Sequence, residues 1–360
     1  MTETTKSWAT TRFPALAAWQ NGLAATQTTP RERPYLAALP IIVTGGLIFL
    51  ALSGFSLALH YNPFAAFESL QFIDRSINNG WLVHGFHESG TTMVMGATYW
   101  LVFRAMLTGS YRVPGELVWL LGILVFSLLL VAGYFGYVLN GGAVSYWSLT
   151  EATRSLGGGL PGDLQAWVFG GPAGSGTLAR LVVLHVALAV AIFGVLAAYF
   201  SAARAVAVKD VVVYHPHYAA QVFVAFVVFA LILAVLVFFV PHFGENPLNL
   251  AAANSLLVPA FVTPPWYLLP ITALNNTGGP LLVIAAFLLL AALPWADRGK
   301  TGPKFWQRLA VWVLGLDIIG LCIAASVPSA FGPMLVIIFT VWYFLHFLVL
   351  TPIISLLEAA

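Results

Sequence analysis

Two histidines lie near the starts of apolar stretches of membrane length: His87 in NNGWLVHGFHESGTTMVMGATYWLVFR (78–104) and His185 in ARLVVLHVALAVAIFGVLAAYF (179–200). A polar ring without a partner is costly in hydrocarbon, so each needs something to bind. For one such histidine, a backbone carbonyl serves. For two, on two helices, there is a second chemistry: a pair of neutral imidazoles can ligate a single haem iron from its two faces, and helix-bundle cores are where such groups sit.

The elements that would position them are spanning helices. The chain is 60% hydrophobic and 8% charged over 360 residues, a composition that points to an integral membrane protein and away from a soluble core of this size. The net charge of +2 gives no footprint for a nucleic acid. The single cysteine, Cys322, excludes an internal disulfide and a CxxCH haem-attachment motif, and is read as a packing residue. Residues 1–34 are polar and show no signal peptide.

Apolar runs at about 36–59, 81–103, 115–139, 178–203, 218–240, 271–293, 307–327 and 331–357 predict eight transmembrane helices, A to H, in an all-α fold. An even number puts both termini on one side. Lys6, Arg12, Arg31, Arg33, Arg104, Arg112, Arg204, Lys209, Arg298, Lys300, Lys304 and Arg308 fall on that side, against Arg75, Arg154 and Arg180 on the other, which predicts cytoplasmic termini. His87 and His185 then share a depth near the outer face. The long connections 140–177 and 241–270 are both outer and are expected to be functional or partner-binding.

NNGWLVHGFH, GYFGYVLNGGAVSYW (133–147), TLARLVVLH (177–185), YHPHY (214–218) and TPPWYLLP (263–270) occur in the order of their counterparts in cytochrome b. From about Pro34 onward the chain resembles this membrane subunit of the quinol-oxidising cytochrome bc complexes. The resemblance implies a cytoplasmic segment 1–34, a four-helix haem bundle (A–D) over 35–210, and a C-terminal region of helices E–H over 211–360. It also implies two haems stacked across the membrane, with ligand histidines fourteen residues apart on helices B and D, roughly 21 Å along each axis.

Here the positions fourteen after His87 and His185 are Leu101 and Tyr199. Leucine cannot ligate iron; tyrosine can, but facing Leu101 it would be a lone axial ligand in an apolar site, so only the outer pair is expected. The family glycines that admit a porphyrin edge match Gly54 and Gly136 for the outer haem, while the inner pair is Gly122 and Pro40. Arg180 matches an arginine near the outer haem, and His84 stands where the family has a second one, both as expected partners for propionates.

The quinol-oxidising pocket of the family uses a PEWY motif whose glutamate accepts a quinol proton. This chain has Pro264-Pro265-Trp266-Tyr267, and Asn140-Gly141-Gly142 in place of PWG. Tyr146, Trp147, Glu151 and Tyr267 are therefore candidates for a vestigial quinone site. Glu151 is weighed there as a substitute base against a reading as a surface carboxylate. The inner quinone site of the family matches Arg204 and Val222, which lack its polar contacts.

His346 is unexpected in helix H and is read as bonding a neighbouring subunit, against a role as a pigment or second-haem ligand. Asp317 matches a family aspartate and is read as a satisfied polar contact. His60, His215, His217 and His242 are read as solvated histidines at helix ends.

These readings imply a divergent cytochrome b in a bacterial inner membrane. It would be oligomeric with other membrane subunits, carry one b-type haem, and pass electrons between quinol or a neighbouring cofactor and a periplasmic c-type cytochrome or iron–sulfur protein. It would not complete the quinone cycle alone. The alternative is a structural paralogue paired with another membrane subunit and not itself catalytic.

Overall fold

The computed structural model describes residues 39–157, 166–167, 169–170, 173–207, 218–299, 302–326 and 330–359. The segment 1–34, most of the Gly-rich run at 157–163, and His215 and His217 lie outside the described residues, as does the side chain of Arg204.

The described residues are helical apart from their connections, with one isolated bridge, Gly142 to Ala252, and no strand. In chain order the helices are α1 (Leu39–Ala58), α2 (Ala66–Ser76), α3 (Gly80–Thr108), α4 (Glu116–Val138), α5 (Ala143–Gly157), α6 (Ser175–Ala207), α7 (Tyr218–Phe239), α8 (Leu269–Ala291) and α9 (Phe305–Ser326). The last span is α10 (Gly332–Leu345), which runs through a π-helical turn (His346–Leu350) into α11 (Thr351–Ala359).

Seven segments are long and apolar enough to cross a membrane. They coincide with seven of the eight expected spans. The exception is α3: its 29 residues give roughly 43 Å of helix, but its first half holds His84, His87, Glu88, Ser89, Thr91 and Thr92. The polarity that disqualifies α3 by composition is the polarity that makes it interesting.

α1 packs along α3 and α4 along α6, and these two pairs form the bundle. Val43 and Leu47 of α1, Met95 of α3, Phe126 of α4 and Leu196 of α6 meet in its core, with Tyr267 against them. Helices α8, α9 and α10 close a second core around Leu290, Leu321 and Tyr343. Only 11% of Val222–Phe239 in α7 is buried, and Phe223, Leu231 and Phe238 project outward, the pattern of a helix facing lipid.

α8 is broken where Gly279 takes φ +71° beside Pro280. A glycine in the left-handed region and a proline without an N–H together interrupt the helical ladder.

Candidate functional site

His87 projects from α3 and His185 from α6, one from each helix pair. Their ring centroids lie 6.4 Å apart with the planes at 72°. Two metal–nitrogen bonds of about 2 Å each, with about 1 Å from nitrogen to the centre of each ring, span roughly 6 Å. The pair therefore has the separation of two imidazoles on opposite sides of one ion.

The protonation pattern follows from the partners. His87 Nδ1 lies 3.1 Å from the carbonyl of Leu50 and 3.1 Å from Ser53 Oγ. His185 Nδ1 lies 2.9 Å from the carbonyl of Ala132. A carbonyl only accepts, so Nδ1 of each neutral ring carries the proton and Nε2 holds a lone pair. A histidine ligand with its second nitrogen tied to a carbonyl is oriented and made more basic, which is how metal-binding histidines are supported.

Gly54 and Gly136 lie directly against the two rings. A Cβ on Gly54 would sit 2.8 Å from His87 Cε1, and one on Gly136 would sit 3.1 Å from His185 Cε1. In the described geometry these glycines clear space for the imidazoles.

Both expected propionate partners make contacts within the chain. His84 Nδ1 lies 2.9 and 3.2 Å from the two carboxylate oxygens of Asp74 on α2, a pairing the sequence reading missed. Arg180 is exposed, donates to the carbonyl of Gly176 at 2.9 Å, and lies against Gly170.

The four positions matched to the inner haem, Pro40, Leu101, Gly122 and Tyr199, all line one cavity of about 120 Å³. No histidine lines it. Thr98 and Trp119 line it as well.

The Tyr146 and Trp147 rings meet edge to face at 5.5 Å, and Trp147 Nε1 donates to the carbonyl of Leu257 at 3.0 Å. Tyr267 is buried, with its hydroxyl 3.4 Å from the carbonyl of Gly133. Glu151 is exposed and pairs at 2.7 Å with Arg154, one turn along the same helix face. It is the surface carboxylate of the two readings.

Three further expectations are corrected. His346 is 2% exposed with Nδ1 unpartnered, so its ring lies inside this chain and not toward a neighbour, beside a cavity of about 20 Å³. Asp317 is buried and neither carboxylate oxygen has a hydrogen-bond partner. His242 is no freely solvated histidine: its Nδ1 lies 3.1 Å from Glu88 and 3.4 Å from Glu245. These hydrogen bonds, Glu245 first and then Glu88, raise its pKa to about 10. His60 is exposed, as expected. A signal for this cluster was available, because a carboxylate inside an apolar span, as Glu88 is, needs a partner.

Comparison with known proteins agrees along most of the chain. The family model described as Cytochrome b/b6/petB matches residues 30–207, and that described as Cytochrome b(C-terminal)/b6/petD matches residues 252–344. The cytochrome b of Rickettsia prowazekii is 32% identical over 355 residues, covering 92% of this chain and 89% of that protein. The cytochrome b/c1 of Bradyrhizobium diazoefficiens is 30% identical over 382 residues, covering 98% of this chain and 55% of that one. A solved chain titled Hyperthermophilic respiratory Complex III shares the fold, with a TM-score of 0.86 at 24% identity over 98% of this chain and 99% of its own. With its two family models, its relatives and its helical arrangement in agreement, the chain belongs to the cytochrome b family of the bc complexes.

Proposed function

We propose that this cytochrome b carries a single b-type haem, near the outer face, between His87 and His185, and relays single electrons between quinol or a neighbouring cofactor and a periplasmic c-type cytochrome or iron–sulfur protein. The observation that carries this reading is the facing ring pair, 6.4 Å apart, with each Nδ1 committed to a carbonyl. When bound, the haem supplies one-electron chemistry at its iron. The chain's part is to present two neutral rings whose Nε2 lone pairs are free to ligate. The carbonyls of Leu50 and Ala132 set the tautomers, and Gly54 and Gly136 admit the rings.

The histidine-free cavity at Leu101 and Tyr199 supports a count of one haem. With α3 as the eighth span, the excess of basic residues on the terminal side supports cytoplasmic termini in a bacterial inner membrane. The relative whose name joins cytochrome b to c1 supports a c-type partner in a larger, oligomeric assembly. Tyr146, Trp147 and Tyr267 remain as parts of a vestigial quinone site, with Pro265 where the family motif has its glutamate.

The test is haem b per chain, by pyridine haemochrome against protein mass, with a redox titration. One haem, titrating as a single component and lost in His87→Ala, is the expected result. Two haems would overturn the reading. No haem would leave the structural paralogue, for which the missing motif glutamate already speaks.

A further inference from the structure

Apart from the facing histidines, the described residues hold one group of ligating side chains close enough to share an ion: Glu88 on α3, and His242 and Glu245 in the connection after α7. One candidate ligand atom from each lies within 4.8 Å of the others. His242 Nδ1 is 3.1 Å from Glu88 Oε2 and 3.4 Å from Glu245 Oε2. Ligands held at about 2.0–2.1 Å on a tetrahedron stand roughly 3.3 Å apart, so these atoms already sit near the edges of such a site.

Two features set the group apart from an ordinary ion pair. Glu88 Oε1 is buried without a hydrogen-bond partner, and Glu245 Oε2, on a side chain only 8% exposed, has just the long 3.4 Å contact to His242. Buried carboxylate oxygens left unpaired are costly, and a bound cation removes the cost. Glu245 is also aimed: its Oε1 accepts from Asn140 Nδ2 at 2.9 Å and from Asn249 Nδ2 at 2.8 Å, which leaves Oε2 turned toward His242. Asn249 is itself fully buried and held by the backbone N–H of Ser145 at 2.9 Å. Supporting bonds of this kind fix the orientation of metal-binding carboxylates. His242, 40% exposed, gives an ion a way in.

We propose that Glu88, His242 and Glu245 form a binding site for a divalent first-row transition ion, Zn²⁺ being the probe of choice for one imidazole and two carboxylates with an open fourth position. The ion ties α3, at the residue after His87, to the connection that leads to Trp266. Gly244 lies between its two loop ligands and packs against that indole, where a Cβ would meet Trp266 Cδ1 at 3.2 Å. The site is independent of haem number.

The experiment is calorimetric titration of the full-length, haem-loaded protein with ZnCl₂ after chelator treatment. One equivalent bound is expected, weakened roughly ten-fold or more by His242→Ala and by Glu245→Gln, with the haem absorbance spectrum reporting an intact bundle. Cu²⁺ paramagnetic resonance on the unmutated protein gives a second reading that needs no variant, with hyperfine coupling to one imidazole nitrogen expected. Zn²⁺ uptake unchanged in both variants would identify an adventitious ion only and overturn the proposal. So would the absence of a stoichiometric site, or copper spectra without nitrogen coupling.

Discussion

A methyl group on Gly54 would lie 2.8 Å from Cε1 of His87, while the same group on Gly136 would lie 3.1 Å from Cε1 of His185. The two contacts rank the glycines. Gly54→Val is expected to displace the His87 ring from its bond to Leu50 and to abolish haem binding. Gly136→Ala needs a shift of only a few tenths of an ångström, and is expected to retain haem with altered low-spin resonance signals. Haemochrome assay and paramagnetic resonance on the two purified variants check the order.

Leu101→Ala and Tyr199→Phe should each leave haem content at the unmutated value, because both residues line the histidine-free cavity. Loss of half the haem in either variant would place a ligand where this reading has none.

At the opposite end of the bundle, Asp297 is buried and takes bonds from Arg112 at 2.7 and 2.8 Å, from Tyr111 at 2.5 Å and from Gln307 at 3.0 Å. Asp297→Ala leaves the mostly buried guanidinium of Arg112 without its carboxylate, an expected cost of about 3–5 kcal/mol. Thermal unfolding in detergent should show a large fall in midpoint, with haem content normal before melting.

Stability should also depend on His242. Its pKa is raised in the folded protein to about 10 from 6.5, first by the hydrogen bond to Glu245 and then by that to Glu88. A raised value means that the folded state holds the proton more tightly. The contribution is complete below pH 6.5 and is lost as pH rises toward about 10. With the side chain 40% exposed, solvent screens much of it. In chelator-treated protein, His242→Gln should flatten the fall of the melting midpoint across that window.

Much of the architecture was legible beforehand. Seven of the expected spans coincide with apolar helices because the bilayer imposes a length and a composition on any crossing segment. The stretch of α3 from His84 to Thr92 was harder, since the residues that serve a site lower the apolarity by which spans are recognised.

His87 and His185 could be singled out from the sequence because the cost of a polar ring in an apolar span belongs to the residue and its immediate neighbours, whatever the packing. Their 6.4 Å approach, and the carbonyls of Leu50 and Ala132 that settle their tautomers, were decided by how α1 lies on α3 and α4 on α6. The same holds for Glu88 and His242, which are 154 residues apart and 3.1 Å from contact to contact. A hydrogen bond or a ligand bond depends on tenths of an ångström, and no spacing along one chain specifies that distance between two helices or between a helix and a distant loop. Residue type and periodicity determined which groups need partners; only the packed bundle decided which partners they have.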